Sequence, residues 1–209
     1  MKKKIVTERK AHLVNAAYFT IGETGLNAIT LSDIAKKAGL STGLVSHYFG
    51  DKQGILHATM RKILCDLQQA VRAARHQAPP DAISQLKAIV RGNFDVSQTN
   101  QNAMRTWLDF WAASMRYPNL QRLQRINDRR LYSNLYWQFF RLLRGDEAQR
   151  AALGLAALID GLWLRGSLRQ EDFNVAQAIN LANHYIDQQL CFGQKEPCVP
   201  VVDDNNLDQ

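Results

Sequence analysis

An all-α fold follows from three observations on this chain of 209 residues. Apolar side chains recur at spacings of three and four through nearly every segment, the signature of helices that bury one face. No run alternates apolar and polar residues between turn signals as a sheet requires. The strongest break, Pro79-Pro80, follows one long periodic stretch from Asp51 to His76 and separates a small N-terminal unit from a larger helical one.

The elements justify themselves in order. Residues 8–24 are amphipathic, with Leu13, Val14, Ala17 and Ile21 on one side, and stop at Gly25. Thr30 caps the next helix, and Asp33 three residues on completes a shortened capping box. Leu31, Ile34, Ala35 and Ala38 then fall at i, i+3, i+4 and i+7. Gly39 follows the last periodic residue, where a left-handed backbone suits glycine. Ser41 caps a further short helix in which Leu44, Val45, Tyr48 and Phe49 repeat the spacing. Helix, glycine turn and polar-tipped helix form a helix-turn-helix, the unit that lays a recognition helix in a DNA major groove.

The stretch from Asp51 to His76 carries Ile55, Leu56, Thr59, Ile63 and Leu67 along one flank. At ~1.5 Å per residue it spans roughly 39 Å, long enough to join both units. Helices are expected near 82–94, 101–116, 118–144, 147–169 and 174–190, with Pro118 at a helix start. Residues 1–50 thus read as a three-helix helix-turn-helix DNA-binding domain and 51–192 as a ligand-binding and dimerisation domain. Residues 193–209, rich in Pro, Asn and Asp without periodicity, are expected to be a disordered tail.

Charge supports the same division. Residues 1–76 hold 12 Lys or Arg against 5 Asp or Glu, whereas 77–209 hold 14 of each. The whole excess of +7 lies on the segment bearing the helix-turn-helix, a one-ended basic field suited to a polyanion. No uncharged apolar run approaches the ~20 residues that span a bilayer, and MKKKIVTERK lacks the apolar core of a signal peptide. Cys65, Cys191 and Cys198 are odd in number and unaccompanied by CxxC or clustered His, as expected of free thiols in a reducing cytoplasm. Neither a metal nor a cofactor is expected. GxSxG, HExxH, GxGxxG and P-loop patterns are missing, and the five His (12, 47, 57, 76, 184) are scattered, so no catalytic residue is assigned.

A helix ahead of a helix-turn-helix, then an aromatic YF, D-K and a long helix, resembles the TetR family of one-component repressors, over residues 8–60 by motif and the remainder by helical layout. GLVSHYF (43–49), MRTWLDFWAASMRYP (104–118) and LGLAALIDGLWLRGSL (153–168) are similar to its choline-responsive BetI branch. Ser46 stands where most TetR-type proteins carry a phosphate-contacting Tyr. The resemblance implies that Thr30 and Lys52 meet phosphates, that His47 and Tyr48 touch the DNA backbone, and that Ser41, Thr42 and Gly43 form the tip entering the groove. Thr42 is the candidate for base-edge contact. Capping alone is the simpler role for Thr30 and Ser41, and burial for Tyr48.

For the effector, Trp107 and Trp111 lie at i, i+4 near Met104, Leu108 and Met115, while Asp160 and Trp163 share a face at i, i+3. Spacing alone reads these tryptophans as core. The resemblance adds a second reading, a carboxylate with aromatic faces around a quaternary ammonium such as choline. Asp109, about 200° from Trp107 around its helix, is expected to face elsewhere; Asp95 and Tyr136 are further candidates.

The expected partners are therefore a pseudo-palindromic double-stranded DNA operator, a small-molecule effector and a second copy of the chain, with no membrane. The dimer is expected through the helices at 147–169 and 174–190, where Gly154, Ala157 and Gly161 permit close approach. The function implied is repression of choline uptake and glycine betaine synthesis genes, released by choline. A TetR-type repressor answering another ligand, such as a lipophilic cation in efflux control, is the alternative. An enzyme with a DNA-binding appendage and an architectural DNA-binding protein are the readings from other classes.

Overall fold

A computed structural model describes residues 2–169 and 173–193. The described residues form helices joined by short connections: α1 (Lys2–Thr24), α2 (Leu31–Lys37), α3 (Thr42–Phe49), α4 (Lys52–Gln77), α5 (Ala82–Asn93), α6 (Val96–Thr99), α7 (Gln101–Ser114), α8 (Pro118–Phe139), α9 (Gly145–Arg169) and α10 (Val175–Gly193). Cys198 and the tail expected over 193–209 lie outside them, apart from Gly193 at the end of α10.

α1, α2, α3 and the start of α4 pack into the N-terminal unit. Leu13, Ile21, Ile34, Val45, Ile55 and Leu56 are its buried centre. Gly39 adopts φ +62°, as the turn between α2 and α3 demands. Gly54 serves another purpose: a Cβ there would stand 1.9 Å from the Phe49 carbonyl oxygen, so glycine lets α4 begin directly against the end of α3. The His12 ring lies 3.0 Å from the Ala38 carbonyl oxygen through Nε2, tying α1 to the end of α2.

α4 then runs on into a bundle with α5, α7, α8, α9 and α10, and one continuous core extends from Leu13 to Ile186. Boundaries differ from expectation in three places. α1 starts at Lys2, because good helix formers without a breaker let the helix extend into solvent. α8 ends at Phe139 rather than 144; the N–H of Leu142 turns back to the Phe139 carbonyl at 2.8 Å, and Leu143 tucks against the core. Apolar FFRLL carries no glycine or proline to announce that turn. The one-turn α6 was not foreseen; Asp95 caps it through the Ser97 N–H, which assigns that carboxylate a structural partner.

α9 is long and apolar enough to cross a membrane by length and composition, although Asp160 and Arg165 interrupt its uncharged runs. It packs against α7, α8 and α10 with Ala148, Ala151, Ala152, Leu155 and Ile159 buried.

Candidate nucleic-acid interface and effector cavity

The exposed side of the N-terminal unit carries the residues expected to face DNA. At the start of α2, the Thr30 hydroxyl accepts the Asp33 N–H at 3.1 Å and donates to the Asp33 carboxylate at 2.6 Å, while the Thr30 N–H reaches that carboxylate at 2.9 Å. The capping box is therefore complete, and these bonds hold the Asp33 carboxyl below the usual carboxylate range. Contact of the Thr30 hydroxyl with a phosphate requires it to turn from Asp33.

Ser41 caps α3 by accepting the Leu44 N–H at 3.3 Å. Thr42, Gly43, Ser46 and His47 are exposed on the same short helix, and a Cβ at Gly43 would meet no atom within 4 Å. Tyr48 is half-buried against the core, with the His47 ring 5.2 Å away and the Lys10 ammonium 5.8 Å from its ring centre. Lys52 donates to the Asn27 carbonyl at 2.9 Å and so braces the loop between α1 and α2 against α4. Lys4, Arg9 and Lys10 are exposed on α1, the last with its ammonium beside Tyr48. The arrangement is an exposed helix tip with a cation beside it.

About a helical bundle away, Trp107, Trp111, Asp160 and Trp163 line a single cavity of about 40 Å³ together with Leu67, Gln98, Asn127 and Leu131. The indoles contact one another, with ring centres 6.2 Å (Trp107–Trp163), 5.2 Å (Trp111–Trp163) and 6.4 Å (Trp107–Trp111) apart. Trp107 and Trp163 are buried, so the core reading holds for them as well, whereas Trp111 is half-buried. α6 supplies the Gln98 oxygen that accepts the Trp107 Nε1–H at 3.0 Å and fixes that ring. The buried Trp111 Nε1–H has no partner. Met104 is buried, but Met115 lies at the end of α7 and is 84% exposed, and neither lines this cavity.

Desolvation raises the Asp160 pKa to about 6, with the Asp128 carboxylate adding a smaller push in the same direction. Asp128 is itself raised by desolvation, against a Gln124 hydrogen bond. Two carboxylates on α8 and α9 thus repel each other beside aromatic faces, an environment that a cation would relieve. Leu67, which the sequence places on the apolar flank of α4, also lines the cavity, as do Gln98 and Asn127, which carry no local pattern beyond ordinary helix. Tyr136 stacks on Tyr132 and is not among the lining residues.

Asp109 does face elsewhere. Its carboxylate accepts the Leu26 N–H at 2.7 Å, in the loop before α2. Two turns earlier, Asn102 donates to the Tyr18 carbonyl of α1 at 3.2 Å. One side of α7 therefore touches the helix-turn-helix unit while the other presents Trp107 and Trp111 to the cavity. Cys65 and Cys191 are free and exposed.

Comparison with known proteins agrees with this architecture. Residues 13–59 match the family model of bacterial regulatory proteins of the tetR family, and residues 80–190 that of the BetI-type transcriptional repressor C-terminal region. The chain is 56% identical to the HTH-type transcriptional regulator BetI of Stenotrophomonas maltophilia (strain R551-3), over 90% of this chain and 96% of that protein. It is 54% identical to the regulator of the same name from Paraburkholderia xenovorans (strain LB400), over 86% and 92%. Among solved structures, a transcriptional regulator from Pseudomonas aeruginosa PAO1 superposes with TM-score 0.78 at 24% identity, covering 88% of this chain and 91% of that one. A transcriptional regulator from Saccharomonospora viridis in complex with choline superposes with TM-score 0.77 at 22% identity, covering 87% and 96%. The chain belongs to the TetR family of helix-turn-helix transcriptional regulators, in its BetI-type repressor branch.

Proposed function

We propose that this repressor binds, as a two-fold dimer in the cytoplasm, a pseudo-palindromic operator controlling choline uptake and glycine betaine synthesis genes, and that choline or a related quaternary ammonium releases it. The observation that carries the effector is the cavity itself: three mutually touching indoles and an Asp160 carboxylate whose ionised form lacks a cationic partner. Aromatic faces attract a cation that has no N–H to donate, and a carboxylate supplies the countercharge. The unpartnered Trp111 N–H is a donor for a ligand hydroxyl. The choline complex of the Saccharomonospora viridis regulator supports the same ligand class.

On the DNA side, Thr30 and Lys52 would hold phosphates, His47 and Tyr48 the backbone, and Ser41, Thr42 and Gly43 the groove, with Thr42 reading a base edge. Residues 1–50 act as the reading head and 51–192 as the sensing and dimerising part, α4 being common to both. The cavity of about 40 Å³ has room for about three waters and not for a trimethylammonium group, so a ligand must part its walls. Those walls include Leu67 of α4 and Trp111 of α7, the two helices that contact the head. A ligand that favours the opened arrangement would disfavour the spacing the operator needs.

The test is binding to DNA upstream of the protein's own gene at fixed salt, with competitor DNA, with and without choline. Specific binding released by choline is expected. Specific binding that choline leaves unchanged would reject choline as effector and favour another ligand, such as a lipophilic cation.

A further inference from the structure

A second cavity, of about 260 Å³, opens between α4 and α8 and shares Leu67, Asn93, Asn127 and Leu131 with the aromatic one. Its chemistry is opposite. Arg72, Arg75 and Arg130 line it with Gln68 and Asn134, and no carboxylate does. The ion pairs among the described residues are made by Lys37, Lys62 and Lys87, so none of these guanidiniums is neutralised by one. Of the acidic residues adjacent in sequence to this wall, Asp66 pairs with Lys62, and Asp128 accepts from Gln124 and acts electrostatically on Asp160 of α9.

Arg75 is built in. Its Nε donates to the Gln85 side-chain oxygen at 2.9 Å and its Nη1 to Asn134 at 3.4 Å, while the Gln85 amide returns to the Arg75 carbonyl at 3.0 Å. Its remaining N–H groups stay available in a fixed orientation. Arg72 and Arg130 make no hydrogen bond to protein and are free to close on a ligand. DNA is not the natural occupant, because Arg72 lies roughly 30 Å along α4 from Lys52, at the far end from the recognition helix.

We propose that this α4–α8 pocket binds a phosphoryl dianion, free or carried on a small organic phosphate. Three unneutralised guanidiniums in one concavity suit a group with several anionic oxygens and two charges better than a single carboxylate. The basic surface continues past Arg130 and Gln68 into a groove lined by Arg61 and Arg122, which offers space for the organic body. An anion bridging α4 to α8 would brace the helix that carries the reading head, and would do so whatever the aromatic cavity holds.

The experiment is calorimetric titration of the full-length protein with inorganic phosphate and, separately, with glycerol 3-phosphate, each at ionic strength matched with chloride. The comparison protein is the Arg72→Gln, Arg130→Gln double variant. Phosphate also adsorbs to the cations near α3, so the difference between the two proteins is the readout. Neither side chain supports the fold by a hydrogen bond, and far-UV circular dichroism checks this. Binding at least tenfold weaker in the double variant is expected; tighter binding of the ester would identify the organic phosphate, equal binding the free ion. Equal affinity in both proteins, or a signal that chloride reproduces, would overturn the site.

Discussion

Asp160 concentrates the chemistry of the effector cavity in one titration. With its pKa raised to about 6, the carboxylate is ionised at neutral pH and competes for a proton below it. Choline affinity should therefore fall as pH drops through about 6, and the fall should vanish in Asp160→Asn, which binds weakly at every pH; titration followed by tryptophan fluorescence reads both. The stability sign is opposite to that of an ion-paired acid. The folded pKa exceeds the ordinary 3.8, so the folded state binds the proton more tightly and the ionised group destabilises it. That cost is absent below 3.8 and fully present above 6, so Asp160→Asn should raise the melting temperature of the ligand-free protein at pH 7.5 and change it little near pH 4. At the other end of the molecule, Thr42 is exposed and unbonded to its neighbours. Thr42→Ala should leave the melting temperature unchanged and cost ~1–3 kcal/mol at particular operator bases, measured across a panel of single-base operator variants. A uniform loss over the panel would remove Thr42 from base reading. Lys52→Ala should weaken all sequences alike and lower the slope of log affinity against log salt by about one.

Among the elements, α7 offers a second physical route from the cavity to the reading head beside α4. Its one face carries Trp107 and Trp111, its other the Asp109 carboxylate on the Leu26 N–H and the Asn102 amide on Tyr18. Asp109→Ala should preserve operator binding within a few-fold while raising the choline concentration needed for release. If α4 alone transmits, the release curve in Asp109→Ala will match the unmodified protein, and the α7 route fails. This link shows where sequence was legible and where it was not. The angular position of Asp109 excludes it from the cavity, because helical geometry is local. Its acceptance of a backbone N–H 83 residues earlier depends on how α7 docks on α1, which no local pattern encodes. The same division holds elsewhere. Thr30, Asp33, Gly39 and Ser41 announced α2 and α3, because caps and turns are made by neighbours in sequence. Trp107, Trp111, Asp160 and Trp163 line one cavity, a convergence of two helices that the spacing within each helix does not encode. Gln98 and Asp128 joined them unannounced, one from a single-turn helix and one through a field between helices.

For the whole molecule, polarity and symmetry have to be read together. Residues 1–52, up to the start of α4, hold 8 Lys or Arg against 4 Asp or Glu, so the reading head of each chain is cationic, and a palindromic operator needs two such heads held at fixed separation. α9 explains how they would be held. Its membrane-like composition arises because both of its sides are apolar: Ala151, Leu155 and Ile159 face the core, while Leu153, Leu164 and Leu168 remain exposed. On α10, Leu181 is exposed as well. The small residues divide likewise. Gly154 is consumed within the chain, where a Cβ would stand 2.1 Å from the Tyr185 hydroxyl, whereas Gly161 opens onto free space and Ala157 is exposed. An apolar helical face with a small-residue gap suits a second copy of itself across a two-fold axis. Leu153→Glu combined with Leu181→Glu should therefore halve the mass seen by sedimentation velocity to that of one chain, 23.7 kDa, with the helical content intact, since both side chains are outside the core. Operator affinity should drop by about 10²–10⁴, because each half-site is then bound without the linked second. A double variant that sediments at twice the chain mass would place the dimer elsewhere, and one that is monomeric yet binds the full operator as tightly would show that the two reading heads act independently.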